Sequence, residues 1–108
     1  MKVLAAMVAV LLCGSAMLVD AADDAAAEAL IKKSKCLTCH SVDKKKDGPS
    51  YKATAARLKG KPDAEQELYK HLTTNPKVKV DGQEEEHPSL KTKDEAEIRN
   101  VVQWILAQ

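Results

Sequence analysis

The 108-residue chain contains no phenylalanine, one tryptophan and two tyrosines, so aromatic residues make up only 3% of it. Aromatic side chains usually dominate a small hydrophobic core. This length allows one domain, and a domain with so few large apolar groups usually needs a disulfide, a metal or a bound cofactor for stability. An excess of positive charge is also lacking, because 17 Lys and Arg face 16 Asp and Glu. This balance excludes a generic nucleic-acid-binding protein.

Residues 1–21 have the pattern of a cleaved secretory signal peptide. Lys2 precedes a short apolar run, and small residues follow it up to a cleavage site after Ala21. Cleavage after Ala16 and an uncleaved anchor helix are the alternatives. We therefore expect a periplasmic mature domain of residues 22–108.

The mature domain has the pattern of four helices and no strands, which predicts an all-α fold. Apolar periodicity, caps and helix breakers place the helices over Asp23 to about His40, over Tyr51–Lys59, from Pro62 to Asn75-Pro76, and after a Thr92–Glu95 capping box. Residues 77–91 are expected to form a polar loop, since no partner strand is visible for the alternating Val78 and Val80.

The residues with the most distinctive chemistry are Cys36-Leu37-Thr38-Cys39-His40, a C-x-x-C-H sequence. Two thiols at this spacing can each add to one vinyl group of a haem, and the adjacent histidine then reaches the iron. The motif therefore predicts one covalently bound haem c, with His40 as an iron ligand. A haem would also supply the apolar bulk that the aromatic-poor chain lacks.

Three other uses of Cys36 and Cys39 compete with haem attachment. A thioredoxin-like redox pair needs a βαβ context, which the helical pattern does not provide. A zinc site that included His71 and His87 would have its histidines 16 residues apart, whereas three to five is typical. A disulfide between the two cysteines would close a loop too small to stabilise the domain much.

With this motif, the chain resembles the small class I bacterial cytochromes c related to cytochromes c8 and c551, over nearly all of residues 23–108. Besides the motif, the resemblance rests on Lys46-Asp47-Gly48-Pro49, on the helix Lys52–Gly60, and on Asp94-Glu95-Ala96 leading to Val102-Gln103-Trp104-Ile105-Leu106. It implies a class I cytochrome c fold of about four helices around one haem, and an electron carrier instead of an enzyme. It also implies that the backbone carbonyl of Pro49 orients His40 and that the first and last helices cross.

The sequence departs from this family at the sixth iron ligand. The resemblance implies a methionine followed by proline before the last helix, but all three methionines lie within residues 1–21. His87 stands at the corresponding place and is followed by Pro88. We therefore expect ligation by two histidines, His40 and His87, and a haem potential below that of a methionine-ligated relative.

Other ligands and other functions compete with this expectation. His71, which we expect at the surface or edge of its helix, is one alternative ligand, and Lys77, Lys79 or Lys91 are others. An exchangeable or open sixth position would suit a haem-based sensor, a small-ligand binder or a peroxidase-like enzyme.

The expected partners are redox proteins. The run Lys44-Lys45-Lys46 follows the haem motif and would steer an acidic partner, unless it is simply a solvated surface. No nucleic acid and no specific small-molecule substrate are expected, and a membrane would be met only through a redox partner.

Overall fold

The computed structural model describes residues 22–108, so the predicted signal peptide and its cleavage site lie outside the described part of the chain. Four α-helices and one β-hairpin are described: α1 (Asp24–Lys33), α2 (Tyr51–Leu58), α3 (Ala64–Thr73), β1 (Lys77–Val80), β2 (Gln83–Glu86) and α4 (Glu95–Leu106). The predicted four-helix class is confirmed, with a small sheet in addition. Between residues 22 and 108, no helix is long and apolar enough to cross a membrane.

Helices α1 and α4 pack against each other at the centre of the core. The buried face of α1 consists of Ala27, Leu30 and Ile31, and α4 buries five residues, more than any other helix described. Asn100 of α4 also binds the backbone before α1: its amide donates to the Asp23 carbonyl at 2.9 Å and its Oδ1 accepts from the Asp23 N–H at 2.8 Å. The contact between the first and last helices that the family resemblance implied is therefore present.

Helix α1 is shorter than the sequence suggested, because it ends at Lys33 and does not continue to His40. The N–H of Ser34 closes the last turn by donating to Leu30, and Lys35 then adopts a left-handed conformation with φ 59°. A non-glycine residue in this region interrupts a right-handed helix. The chain restarts as a 3₁₀ turn over Cys36–Thr38, which separates the haem motif from α1.

Two other helices begin later than predicted. Helix α3 begins at Ala64, so Pro62 precedes the helix and is not its first residue. The cap of α4 is Asp94, whose carboxylate accepts from the N–H groups of Ala96 and Glu97, so the predicted capping box is wrong. The hydroxyl of Thr92 instead accepts from the Asp94 N–H. An aspartate is as good an N-cap as a threonine, and here it lies closer to the helix.

The segment between α3 and α4 contains a β-hairpin where the sequence analysis predicted a loop. Asp81 and Gly82 have φ values of 50° and 77°, which is the geometry of a tight hairpin turn. In the register that follows, Lys77 lies opposite Glu86 and Lys79 lies opposite Glu84. Opposite charges across a strand pair are attractive. The partner strand was not recognised because β2, Gln-Glu-Glu-Glu, is exposed throughout and has no apolar alternation.

Candidate haem site

The C-x-x-C-H segment forms one compact turn. The Cys36 carbonyl accepts hydrogen bonds from the N–H groups of Cys39, at 3.2 Å, and His40, at 3.0 Å. Both cysteines are half-buried free thiols, so the competing disulfide is not formed. Burial raises the pKa of the Cys36 thiol. The turn thus places two unbonded thiols and one imidazole side by side.

Pro49 and Gly48 determine where the His40 ring lies. The Nδ1 atom of His40 is 2.7 Å from the Pro49 carbonyl oxygen, which is a hydrogen bond. The Gly48 N–H donates to the Cys39 carbonyl at 2.8 Å and so holds this strand of backbone against the haem motif. A Cβ atom at position 48 would lie only 2.4 Å from Cε1 of His40. Glycine is therefore required here for close approach, a role that sequence analysis did not identify.

An aromatic side chain also holds the His40 ring in place. The His40 ring stacks on Tyr51, with 5.3 Å between ring centroids and an angle of 21° between the planes. Tyr51 in turn packs edge-on against Trp104, at 5.4 Å. Both aromatic residues are buried, at 5% exposure each. Two of the three aromatic residues in the chain therefore support this imidazole, and burial raises the pKa of the Tyr51 phenol above its ordinary value.

His87 lies directly after β2, and its ring centroid is 6.0 Å from that of His40, with an angle of 55° between the planes. Its backbone is held on both sides, because its N–H donates to the Pro76 carbonyl at 2.8 Å and its carbonyl accepts from the Asn75 amide at 3.0 Å. The Nδ1 atom is buried and has no hydrogen-bond partner. Burial, together with smaller effects of His71 and His40, lowers the pKa of His87 to about 4. The imidazole is therefore neutral at pH 7, the form that binds a metal.

The third histidine, His71, also lies at this site. Its ring is 4.2 Å from that of His87, and it is half-buried on α3. Burial lowers the pKa of His71. The expectation of a residue at the surface or edge of the helix missed this contact. The sequence did contain the relevant signal, since position 71 follows the buried Leu68 and Ala64 at helical spacings of three and seven residues.

The other candidate ligands are less suitably placed. Lys77, Lys79 and Lys91 are all exposed. Within residues 22–108, no three His, Cys, Asp or Glu side chains form a group able to hold a metal ion. The structure therefore brings the rings of His40, His87 and His71 close together, whereas the three lysines are exposed.

The family model for cytochrome c matches residues 25–108, almost the whole described part of the chain. This chain belongs to the cytochrome c family. It is 36% identical to cytochrome c-551 of Pseudomonas aeruginosa over 81 residues, which cover 75% of each protein. It is 38% identical to cytochrome c-551 of Stutzerimonas stutzeri over 80 residues, 74% of each.

Two crystal structures of cytochromes show the same fold. The class 1 cytochrome MtoD from Sideroxydans lithotrophicus ES-1 superposes with a TM-score of 0.77 at 47% identity, over 81% of this chain and 97% of that one. Cytochrome c552 of Nitrosomonas europaea superposes with a TM-score of 0.57 at 28% identity, over 73% and 95%. The cytochrome c family consists of electron carriers with one covalently attached haem c, and Cys36 and Cys39 fit its C-x-x-C-H motif.

The residues at this site fit such a haem. A metal–imidazole bond is about 2 Å long, and the nitrogen lies about 1 Å from the ring centre. Two histidines on one metal ion would therefore have their ring centres about 6 Å apart. The observed separation of the His40 and His87 ring centroids is 6.0 Å. The unpaired Nδ1 of His87 shows that this ring has hydrogen-bonding or ligating capacity that the protein atoms around it do not satisfy.

Proposed function

We propose that this cytochrome c is a periplasmic one-electron carrier whose haem iron is held between two histidines. Cys36 and Cys39 attach the haem, His40 is the proximal ligand and His87 the distal ligand. The observation that supports this proposal most directly is the 6.0 Å separation of the two imidazole ring centroids, which two metal–imidazole bonds of about 2 Å each would span. The periplasmic location rests on the signal-peptide pattern of residues 1–21.

The surrounding residues prepare His40 for this role. The short contact with the Pro49 carbonyl requires Nδ1 to carry the hydrogen and donate it, which leaves the Nε2 lone pair for the metal. A hydrogen bond at the second nitrogen fixes both the tautomer and the orientation of a ligating histidine. Tyr51 limits rotation of the ring from the other side.

Ligation by two histidines determines what the haem does. The haem supplies a reversible one-electron couple, and histidine in place of methionine lowers its potential. With His40 and His87 both bound, oxygen, peroxide or carbon monoxide would find no vacant position. This is the property that separates an electron carrier from a sensor or a peroxidase.

The surface beside the haem motif suits an acidic redox partner. Residues 32–79 contain 13 Lys and Arg against 5 Asp and Glu. Leu37, at 39% exposure, is a large apolar side chain at the surface between the two cysteines, and Lys46 donates to its carbonyl at 2.8 Å. An apolar contact beside exposed lysines favours brief, electrostatically steered encounters.

Carbon monoxide binding tests the proposal. The reduced protein should have a six-coordinate, low-spin spectrum that carbon monoxide does not change. A rapid, stoichiometric adduct would contradict the carrier function and favour the sensor or small-ligand binder.

Replacement of His87 and, separately, of His71 tests which histidine is the distal ligand. We expect His87→Met to raise the midpoint potential and His87→Ala to produce a high-spin or ligand-exchanging haem. His71→Ala tests the rival ligand, because the His71 ring lies 4.2 Å from that of His87, measured between ring centroids. If His71→Ala disturbs the spectrum while His87→Ala leaves it intact, the assignment of the distal ligand is wrong.

A further inference from the structure

The hairpin that precedes His87 is closed at its base by hydrogen bonds to one short segment. Pro76 directly precedes β1, and its carbonyl accepts a hydrogen bond from the N–H of His87 at 2.8 Å. The side-chain amide of Asn75 donates to the carbonyl of the same histidine at 3.0 Å. The N–H and the carbonyl of His87 are therefore both hydrogen-bonded to adjacent residues that follow α3.

Asn75 combines two properties that this junction needs. Its φ of 49° turns the chain out of α3 in a left-handed conformation, which asparagine adopts more readily than most residues. Pro76 also disfavours a helical conformation in the residue before it. The turn directs the Asn75 amide back towards the hairpin, where it reaches His87. Glycine would satisfy the same backbone conformation but has no amide to donate, so the two properties are separable by mutation.

The chain after His87 is anchored as well. The N–H of Leu90 donates to the Leu72 carbonyl at 3.0 Å, and the N–H of Lys91 donates to the hydroxyl of Ser34 at 2.9 Å. Leu90 and Ser34 are both buried. Outward movement of the His87 ring is therefore opposed on the C-terminal side by fixed backbone, and on the N-terminal side by the contacts with Asn75 and Pro76.

We infer that Asn75 is a positioning residue for the distal ligand, and that its amide keeps His87 from swinging away from the haem. This inference rests on the proposed function, since it presumes that His87 binds the iron. The amide of Asn75 binds the backbone carbonyl of His87, so Asn75 acts on the imidazole through that backbone. Loss of its amide should favour the state in which the distal position is open, by about fivefold for one hydrogen bond. An external ligand that binds only the open state should then bind more tightly by the same factor.

The experiment compares imidazole binding to the oxidised protein in three variants. Asn75→Gly keeps the left-handed turn and removes the amide, and Asn75→Asp keeps the side-chain size while replacing the donor with an acceptor. Asn100→Ala is the control, because it removes two hydrogen bonds at the α1–α4 contact, where Asn100 binds Asp23 and not His87. Unfolding in urea, measured in parallel, reports the stability that each variant loses.

We expect both Asn75 variants to lower the Kd of imidazole about fivefold, while Asn100→Ala loses stability without changing that Kd. Equal Kd values in Asn75→Gly and the unmutated protein would overturn the inference, as would the same change in Asn100→Ala. The His87→Ala variant separates the two levels of the proposal. If His87→Ala opens the haem and Asn75→Gly does not, only the positioning role fails; if His87→Ala keeps the original spectrum, the proposed ligand fails.

Discussion

Replacement of Gly48 by alanine should displace His40, the proposed proximal ligand. The new Cβ would lie 2.4 Å from Cε1, 2.8 Å from Nδ1 and 3.0 Å from Nε2 of the His40 ring. Carbon atoms in contact are normally about 3.5–4.0 Å apart, so the ring or the backbone must shift by about 1 Å. Neither is free to do so, since the ring is bonded to Pro49 and stacked on Tyr51, while the Gly48 N–H is bonded to Cys39.

The expected cost is that of an overpacked core, about 1–3 kcal/mol of unfolding free energy. The haem spectrum should change as well, because the clash acts on the ring itself. Unfolding in urea, followed by Trp104 fluorescence, measures the unfolding free energy. The visible absorption of the oxidised protein reports the change in the haem spectrum.

Gly60→Ala is the matched control. Gly60 has a φ of 78°, and a Cβ atom added there would have nothing within 4 Å, so alanine strains the backbone by about 1–2 kcal/mol without touching the haem site. Its spectrum should therefore be unchanged at a comparable loss of stability. A Gly48→Ala protein with the original spectrum and stability would refute the argument that this glycine is needed for close approach to His40.

Three further predictions concern other parts of the molecule. Ile105→Ala, at a position 3% exposed in α4, should cost about 2–5 kcal/mol in urea unfolding, and clearly more than Leu106→Ala at the half-buried neighbouring position. Glu84→Lys should place a positive charge opposite Lys79 and lower the unfolding free energy by about 0.2–1 kcal/mol. Glu85→Lys, opposite Val78, makes the same change in net charge without that repulsion. Equal losses of unfolding free energy in the two variants would contradict the register. Arg57 lowers the pKa of Glu67 through a 2.8 Å hydrogen-bonded contact, so Arg57→Ala should return that pKa towards 4.5 in an NMR titration. The Arg57–Glu67 contact stabilises the fold above the unfolded-state pKa and is lost as the pH falls through the lowered pKa, so the variant should be less sensitive to acid in that range.

Sequence patterns predicted the helices well where one face is apolar. Helix α4 and the α3 stripe of Ala64, Leu68 and Leu72 were found because burial repeats at the helical period. The end of α1 was not found, since the left-handed conformation of Lys35 is a property of the turn that follows and not of lysine. The hairpin was missed for a related reason: its register is set by the Asp81-Gly82 turn and by Lys–Glu pairs, whereas β2 buries nothing.

At the haem site, the C-x-x-C-H motif was evident from spacing alone, and membership of the cytochrome c family confirms one covalently attached haem c. The environment of the site was less accessible to sequence reasoning. The contact between His71 and His87 joins α3 to the chain after β2, and the clash that any side chain at Gly48 would cause depends on where His40 points. Helical spacing could place His71 on the buried side of α3, but its contact with His87 and the approach of Gly48 to His40 depend on tertiary distances. Ligation by His40 and His87 is still a prediction.

The closed base of the hairpin also makes its tip a natural attachment point for engineering. The hydrogen bond between Pro76 and His87 joins the two ends of the segment at the base of the hairpin. Lengthening a flexible loop is inexpensive, about 0.6 kcal/mol for each doubling. A peptide tag, a surface-binding sequence or a second protein inserted between Asp81 and Gly82 would replace the turn that sets the register. The hydrogen bonds of His87 to Pro76 and Asn75 lie outside the insertion, so the histidine should stay in place. Such an insertion would attach this cytochrome to an electrode or a fused enzyme through the exposed hairpin that leads into His87.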